Sequence, residues 1–163
     1  MNTKDFNKYV DSRVPLYHSE HEGLFDDLCE KQSQNSSRNR FGPLYQLYMY
    51  AFFIGYYTNS RISPPDKNMK KFLEFGNWRH NNSEITGLML MILMNEIIDD
   101  FHKFESGTDE DVKARVNEMF TAMDEYVHGG LNHIKKCIDE SLIELDDIYK
   151  FHRILVKVAK ADV

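Results

Sequence analysis

Between Leu44 and Tyr57 the sequence reads LYQLYMYAFFIGYY, with no charged side chain and Gln46 as its one strongly polar residue. A helix of this composition is apolar on nearly every side, so other elements must enclose it. It falls well short of the roughly 20 residues needed to cross a bilayer. The rest of the chain must therefore wall it in. Pro43 stands where a first helical position would be, and Gly55 would let a neighbour approach closely. Thr86 to Met94 is a shorter run of the same kind. The expected core includes Leu47, Ala51, Ile54, Leu88, Met91 and Ile92.

The remaining signals are helical. Ser19 with Glu22 has capping-box spacing and precedes the apolar stripe Leu24, Phe25, Leu28, Cys29. Asp66 to Leu73 reads as a short helix, and Ser83 as the cap of a long helix running to about Phe104. Thr108 with Asp111 is a second capping box, with acidic residues in the first turn where the helix dipole favours them. Behind it, Val112, Val116, Met119, Met123 and Tyr126 alternate spacings of four and three, the clearest amphipathic pattern in the chain. Gly129 and Gly130 each cost about 1 kcal/mol relative to alanine inside a helix. They mark either a helix break or a contact that excludes a Cβ. Ser141 with Glu144 would start a last helix, with Ile148, Phe151, Leu155 and Val158 inward. Polar loops are expected near 32–42 and 74–82, the latter holding Trp78. No alternation is long enough to specify a strand. The expected fold is all-α: one domain over residues 1–163, a bundle of about six helices around a buried central helix.

Composition narrows the class further. The chain has 163 residues, a 42% hydrophobic fraction and a formal charge of −6. That is too apolar for a disordered chain and long enough to bury a core. Two cysteines, Cys29 and Cys137, cannot form a disulfide framework. The polar stretch from Met1 to Lys8 lacks the apolar core of a signal peptide. A cytoplasmic location and no membrane association are the expectation.

Two stretches carry a resemblance. FGPLYQLYMYAFFIGYYTNSR, residues 41 to 61, is an aromatic-rich helix with Ala51, then Gly55, then a polar turn ending at Arg61. EYVHGGLNHIKKCIDES, residues 125 to 141, contains Tyr126, Gly129, Gly130 and Leu131 ahead of an amphipathic tail. In this order and separation they resemble small helical proteins associated with the Dnd DNA-phosphorothioation systems, which accompany bacterial defence genes. The match covers about 40 residues in two blocks. This chain departs in having more aromatics in the first block and a longer tail. The resemblance implies a setting in bacterial defence and transfers no catalytic residue.

Charge is unevenly distributed. Residues 31 to 80 hold eight basic residues against two acidic ones, a balance of +6, whereas residues 81 to 149 balance to −11. Arg38, Arg40, Arg61, Lys67, Lys70, Lys71 and Arg79 could form one basic face that follows a phosphate backbone, since such contacts are local. Tyr45, Tyr56, Tyr57 and Trp78 are the candidate interface aromatics, because tyrosine and tryptophan carry an apolar body and a polar handle. The alternative is an ordinary solvated surface.

Asp99 with His102 and Glu125 with His128 have the i, i+3 spacing of di-metal carboxylate bundles. Such sites need further carboxylates from two more helices, and the expected central helix has none. Neither a resident metal nor any other cofactor is expected. Cys29 lies on an apolar stripe and reads as core. Cys137, near Lys135 and Lys136, lacks a matched base. No phosphate-binding glycine loop is present. The expected function is a non-catalytic accessory subunit of a defence system, working through other defence proteins and, as a candidate, DNA. Two alternatives stand beside it: a metal-dependent helical enzyme using Asp99, His102, Glu125 and His128, and a homo-oligomeric structural protein.

Overall fold

A computed structural model of the chain describes residues 3–29 and 41–140. The described residues are mostly helical, as expected. In chain order they form α1 (Thr3–Asp11), β1 (Leu16–His18), a 3-10 turn (Ser19–His21), α2 (Glu22–Leu28), α3 (Leu44–Tyr57) and β2 (Met69–Lys71). Then come α4 (Phe75–Arg79), a second 3-10 turn (His80–Asn82), α5 (Ser83–Ile97), α6 (Phe101–Glu105) and α7 (Asp109–Asp139). Two compact units are distinguished: Met1–Leu16 with Lys70–Asp124, and Tyr17–Met69 with Glu125–Val163. The last expected helix, from Ser141 onward, and most of the expected loop at 32–42 lie outside the described residues.

In the first unit the side chains of Phe6, Val10, Phe75, Trp78, Met89, Leu93, Val116, Met119 and Phe120 are buried. Phe75 meets Trp78 edge-on at 4.7 Å and Phe120 at 5.3 Å between ring centroids. The expected loop at 74–82 is instead α4 and the following 3-10 turn. Burial of Phe75 and Trp78 supplies what the polar neighbours concealed, and Arg79 ties the segment to α1 by donating to Asp11 at 2.7 Å and to Asn7 at 2.9 Å.

The long helix expected up to Phe104 stops at Ile97. Asp100, in extended conformation, accepts from the Lys103 amide at 3.1 Å and caps a new short helix, α6. The amphipathic pattern of α7 holds: Val112, Val116, Met119, Met123 and Tyr126 are all buried. Its start is a true capping box. The Asp111 amide donates to Thr108 Oγ1 at 3.3 Å, and the Thr108 amide donates to Asp111 Oδ2 at 2.9 Å.

In the second unit α3 is enclosed as its composition requires. Leu47, Tyr48, Ala51, Phe52 and Ile54 have no exposed surface. It packs against α7 through glycines. A Cβ on Gly130 would overlap the Ala51 carbonyl oxygen, one on Gly55 the Tyr126 carbonyl oxygen, and one on Gly129 the Ser60 carbonyl oxygen. The glycine pair is therefore a close contact, and α7 runs through it unbroken.

Asp66 to Leu73 is not a helix. It contributes β2, which pairs with β1. The Ser19 amide donates to Asn68 at 3.1 Å and the Phe72 amide to Pro15 at 2.8 Å, an antiparallel register. Asn68 turns into the strand at φ 68°, a left-handed conformation that asparagine tolerates. Ser19 does not cap α2 with Glu22; it sits inside the 3-10 turn, whose cap is His18.

The expected core was partly misplaced on α5. Leu47, Ala51 and Ile54 are buried, but Leu88 is 49% and Met91 68% exposed, and Ile92 is half-buried. Thr86, Met89, Leu90 and Leu93 are the buried residues of this helix.

Candidate functional site

The second unit gathers three imidazoles and a carboxylate. His18 ends β1, Glu20 and His21 occupy the 3-10 turn, and His128 lies on α7, two residues beyond buried Tyr126. His21 and His128 are buried, while Glu20 is exposed. His21 Nε2 lies 2.9 Å from His128 Nδ1, so one N–H bridges the two rings. Glu20 Oε1 is 3.6 Å from His21 Nε2, 3.8 Å from His128 Nε2 and 3.0 Å from His18 Nδ1.

Backbone groups fix His18. Its Nε2 contacts the Lys67 carbonyl at 3.0 Å, and a carbonyl only accepts, so Nε2 carries the hydrogen. Its Nδ1 accepts from the Glu20 amide at 3.4 Å, which turns the chain into the 3-10 turn. His21 Nδ1 is the one buried side-chain nitrogen or oxygen among the described residues with no hydrogen-bond partner.

Burial, reinforced by the neighbouring His128, lowers the His21 imidazole to about 4. Burial also lowers His128, against the opposing pull of Glu20. Both rings are neutral at pH 7, the form that offers a lone pair to a metal. One donor atom each from Glu20, His21 and His128 lies within 4.8 Å of the others, the one such group of three among the described residues.

The carboxylate–histidine pairs singled out in the sequence do not make this site. Asp99 lies between α5 and α6, so it shares no helix with His102. Glu125 accepts from Arg61 Nε at 2.6 Å and from Ser63 Oγ at 2.5 Å. Of the two pairs, His128 alone enters the cluster. The residues that sequence reasoning misses are His18, Glu20 and His21, within the stretch His-Ser-Glu-His, whose capping-box spacing predicts only a helix start. Its density of ligand types within four positions was the available signal.

The basic residues are differently engaged. Arg38 and Arg40 lie outside the described residues. Arg61 is ion-paired with Glu125 and lies 6.0 Å from the Tyr126 ring centroid, and Arg79 is ion-paired with Asp11. Lys67 and Lys71 are exposed and Lys70 is half-buried.

Among the candidate aromatics, Tyr56 and Tyr57 are exposed, Tyr45 is half-buried, and Trp78 is buried with its indole N–H donating to the Leu73 carbonyl at 3.3 Å. Trp78 is thus a core residue and offers no stacking face. Cys29 is buried, and burial pushes its thiol up to about 12, so it is a core residue rather than a nucleophile.

Comparison with protein-family models, curated proteins and solved structures gives no match. No helix among the described residues is long and apolar enough to cross a membrane.

Proposed function

We propose that this chain is a non-catalytic accessory subunit of a bacterial DNA-modification-linked defence system, and that it acts by docking on a partner protein. The observation that carries the docking is the outer face of α5. Ile85, Leu88 and Met91 recur every third residue and are 45%, 49% and 68% exposed. Exposed apolar residues are ordinary singly, but aligned along one helix they are what a partner helix or groove covers. The defence setting rests on the resemblance in residues 41–61 and 125–141. Its two blocks meet in the fold, where Gly55 and Gly130 seat α3 against α7.

The test replaces Leu88 and Met91 with Glu. Both side chains are exposed, so the doubly substituted chain should keep its helical signal and melting temperature. It should lose protection in a host carrying the intact system. Full protection with that variant would exclude α5 as the docking face. Contact with DNA is a separable part of the proposal, resting on Lys67, Lys70 and Lys71. It is read by fluorescence anisotropy of labelled duplex at low salt, where phosphate attraction is strongest.

A further inference from the structure

We propose that Glu20, His21 and His128 form a binding site for one divalent transition-metal ion, with Zn²⁺ the best chemical match. Two imidazoles and a carboxylate are a common ligand set for zinc and related ions, leaving one position open to water.

The spacing fits. Tetrahedral bonds of about 2.0–2.1 Å place neighbouring donor atoms ~3.3 Å apart. The observed separations are 2.9 Å between His21 Nε2 and His128 Nδ1, and 3.6 Å between His21 Nε2 and Glu20 Oε1. Small side-chain rotations bring both to the required value, and the Glu20 carboxylate, whose Oε1 lies 3.8 Å from the other ring nitrogen of His128, turns toward Nδ1 to complete the set. The ion replaces the single hydrogen shared between the two rings, so binding costs one N–H···N contact and gains three coordinate bonds. The ring proton of His21 then resides on Nδ1, the buried ring nitrogen that has no hydrogen-bond partner.

Access and orientation also fit. His21 and His128 are walled in, whereas Glu20 is 47% exposed, so an ion enters from the Glu20 side. His18 acts as a positioning residue through the backbone. Its Nε2–H is held by the Lys67 carbonyl and its Nδ1 accepts from the Glu20 amide, which fixes the 3-10 turn that carries Glu20 and His21. The plain alternative is a buried hydrogen-bonded histidine pair. That pair does not account for a carboxylate oxygen held within 4 Å of three imidazoles.

The experiment uses the full untagged chain, stripped with a chelator and titrated with Co²⁺ and with Zn²⁺. One equivalent per chain should bind, Co²⁺ should show the visible d–d bands of a four- or five-coordinate site, and Zn²⁺ should raise the melting temperature. Glu20→Gln and His128→Gln each remove a direct ligand, so each should weaken binding by more than the about 10- to 100-fold that loss of an outer hydrogen-bond partner costs. His80→Ala, at an exposed position, should leave it unchanged. Because Glu20 is exposed, Glu20→Gln decides the matter even if His128→Gln does not fold. No stoichiometric binding, or binding that Glu20→Gln leaves at full strength, overturns the proposal. Neither outcome touches the α5 docking face.

Discussion

Glycine at position 130 separates what a residue prefers from what its neighbours allow. Alanine there would gain about 1 kcal/mol of helix propensity. Its methyl would also meet the Ala51 carbonyl oxygen, a backbone atom with no rotamer to escape into. Overpacking of this kind costs about 1–3 kcal/mol or more, so Gly130→Ala should be destabilising. Gly87 on α5 is the opposite case: a Cβ there meets nothing within 4 Å. Gly87→Ala should raise stability by up to about 1 kcal/mol. Urea unfolding of both variants reads the two signs, and a Gly130→Ala chain as stable as the parent or more so would refute the close seating of α7. Paired glycines in a periodic helix leave two readings open from sequence, a break or a contact that excludes a side chain, and the structure decides for the contact. The sequence could not say that Ala51 and Ser60 are what the side chain is excluded from, because that depends on which helix α7 meets.

The α5 helix shows how far apolar composition misleads at the scale of an element. Thr86 to Met94 contains hydrophobic residues on all faces, so its sequence has no polar side to mark the solvent. In the structure Leu93 has no exposed surface while Leu88 is 49% exposed. Leu93→Ala should therefore cost about 2–5 kcal/mol, the range for a large-to-small change in a core. Leu88→Ala should stay within about 0.5 kcal/mol, as surface substitutions do. Chemical denaturation measures both, and equal losses would place Leu88 in the core after all. By contrast α7 was readable from Val112 to Tyr126, because a charged face alternates with the buried one and fixes its orientation. The same contrast explains α4: five residues with a single buried edge, Phe75 and Trp78, make too short a period to register.

Over the whole chain, the all-α class was legible because long apolar periods dominate the sequence. The three-residue strands were not, since a stretch of that length has no detectable alternation. The histidine cluster was half legible. Its ligands come from a 3-10 turn and a helix 107 positions apart, and sequence spacing carries no information across that gap. Charge was the least legible property. The +6 and −11 windows suggested two opposed faces, yet Arg61 from the basic window is spent on Glu125 from the acidic one. This pairing predicts an acid dependence. Burial raises the Glu125 carboxyl, but the Ser63 hydroxyl and the Arg61 guanidinium outweigh it and hold it below its ordinary value of 4.5. The unfolded chain therefore takes up the proton first as pH falls. The stabilisation is full above about pH 4.5 and disappears as pH drops through the lower folded value. Arg61 is 37% exposed, so solvent screening limits the charged pair to about 1 kcal/mol at pH 7. Glu125→Gln should be less stable than the parent by that amount at pH 7. The gap should narrow below pH 4.5 and close in stronger acid, as followed by denaturant titration across the range. A gap that stays constant down to pH 3 would mean that the carboxylate charge contributes nothing and the side chain serves only as a hydrogen-bond acceptor.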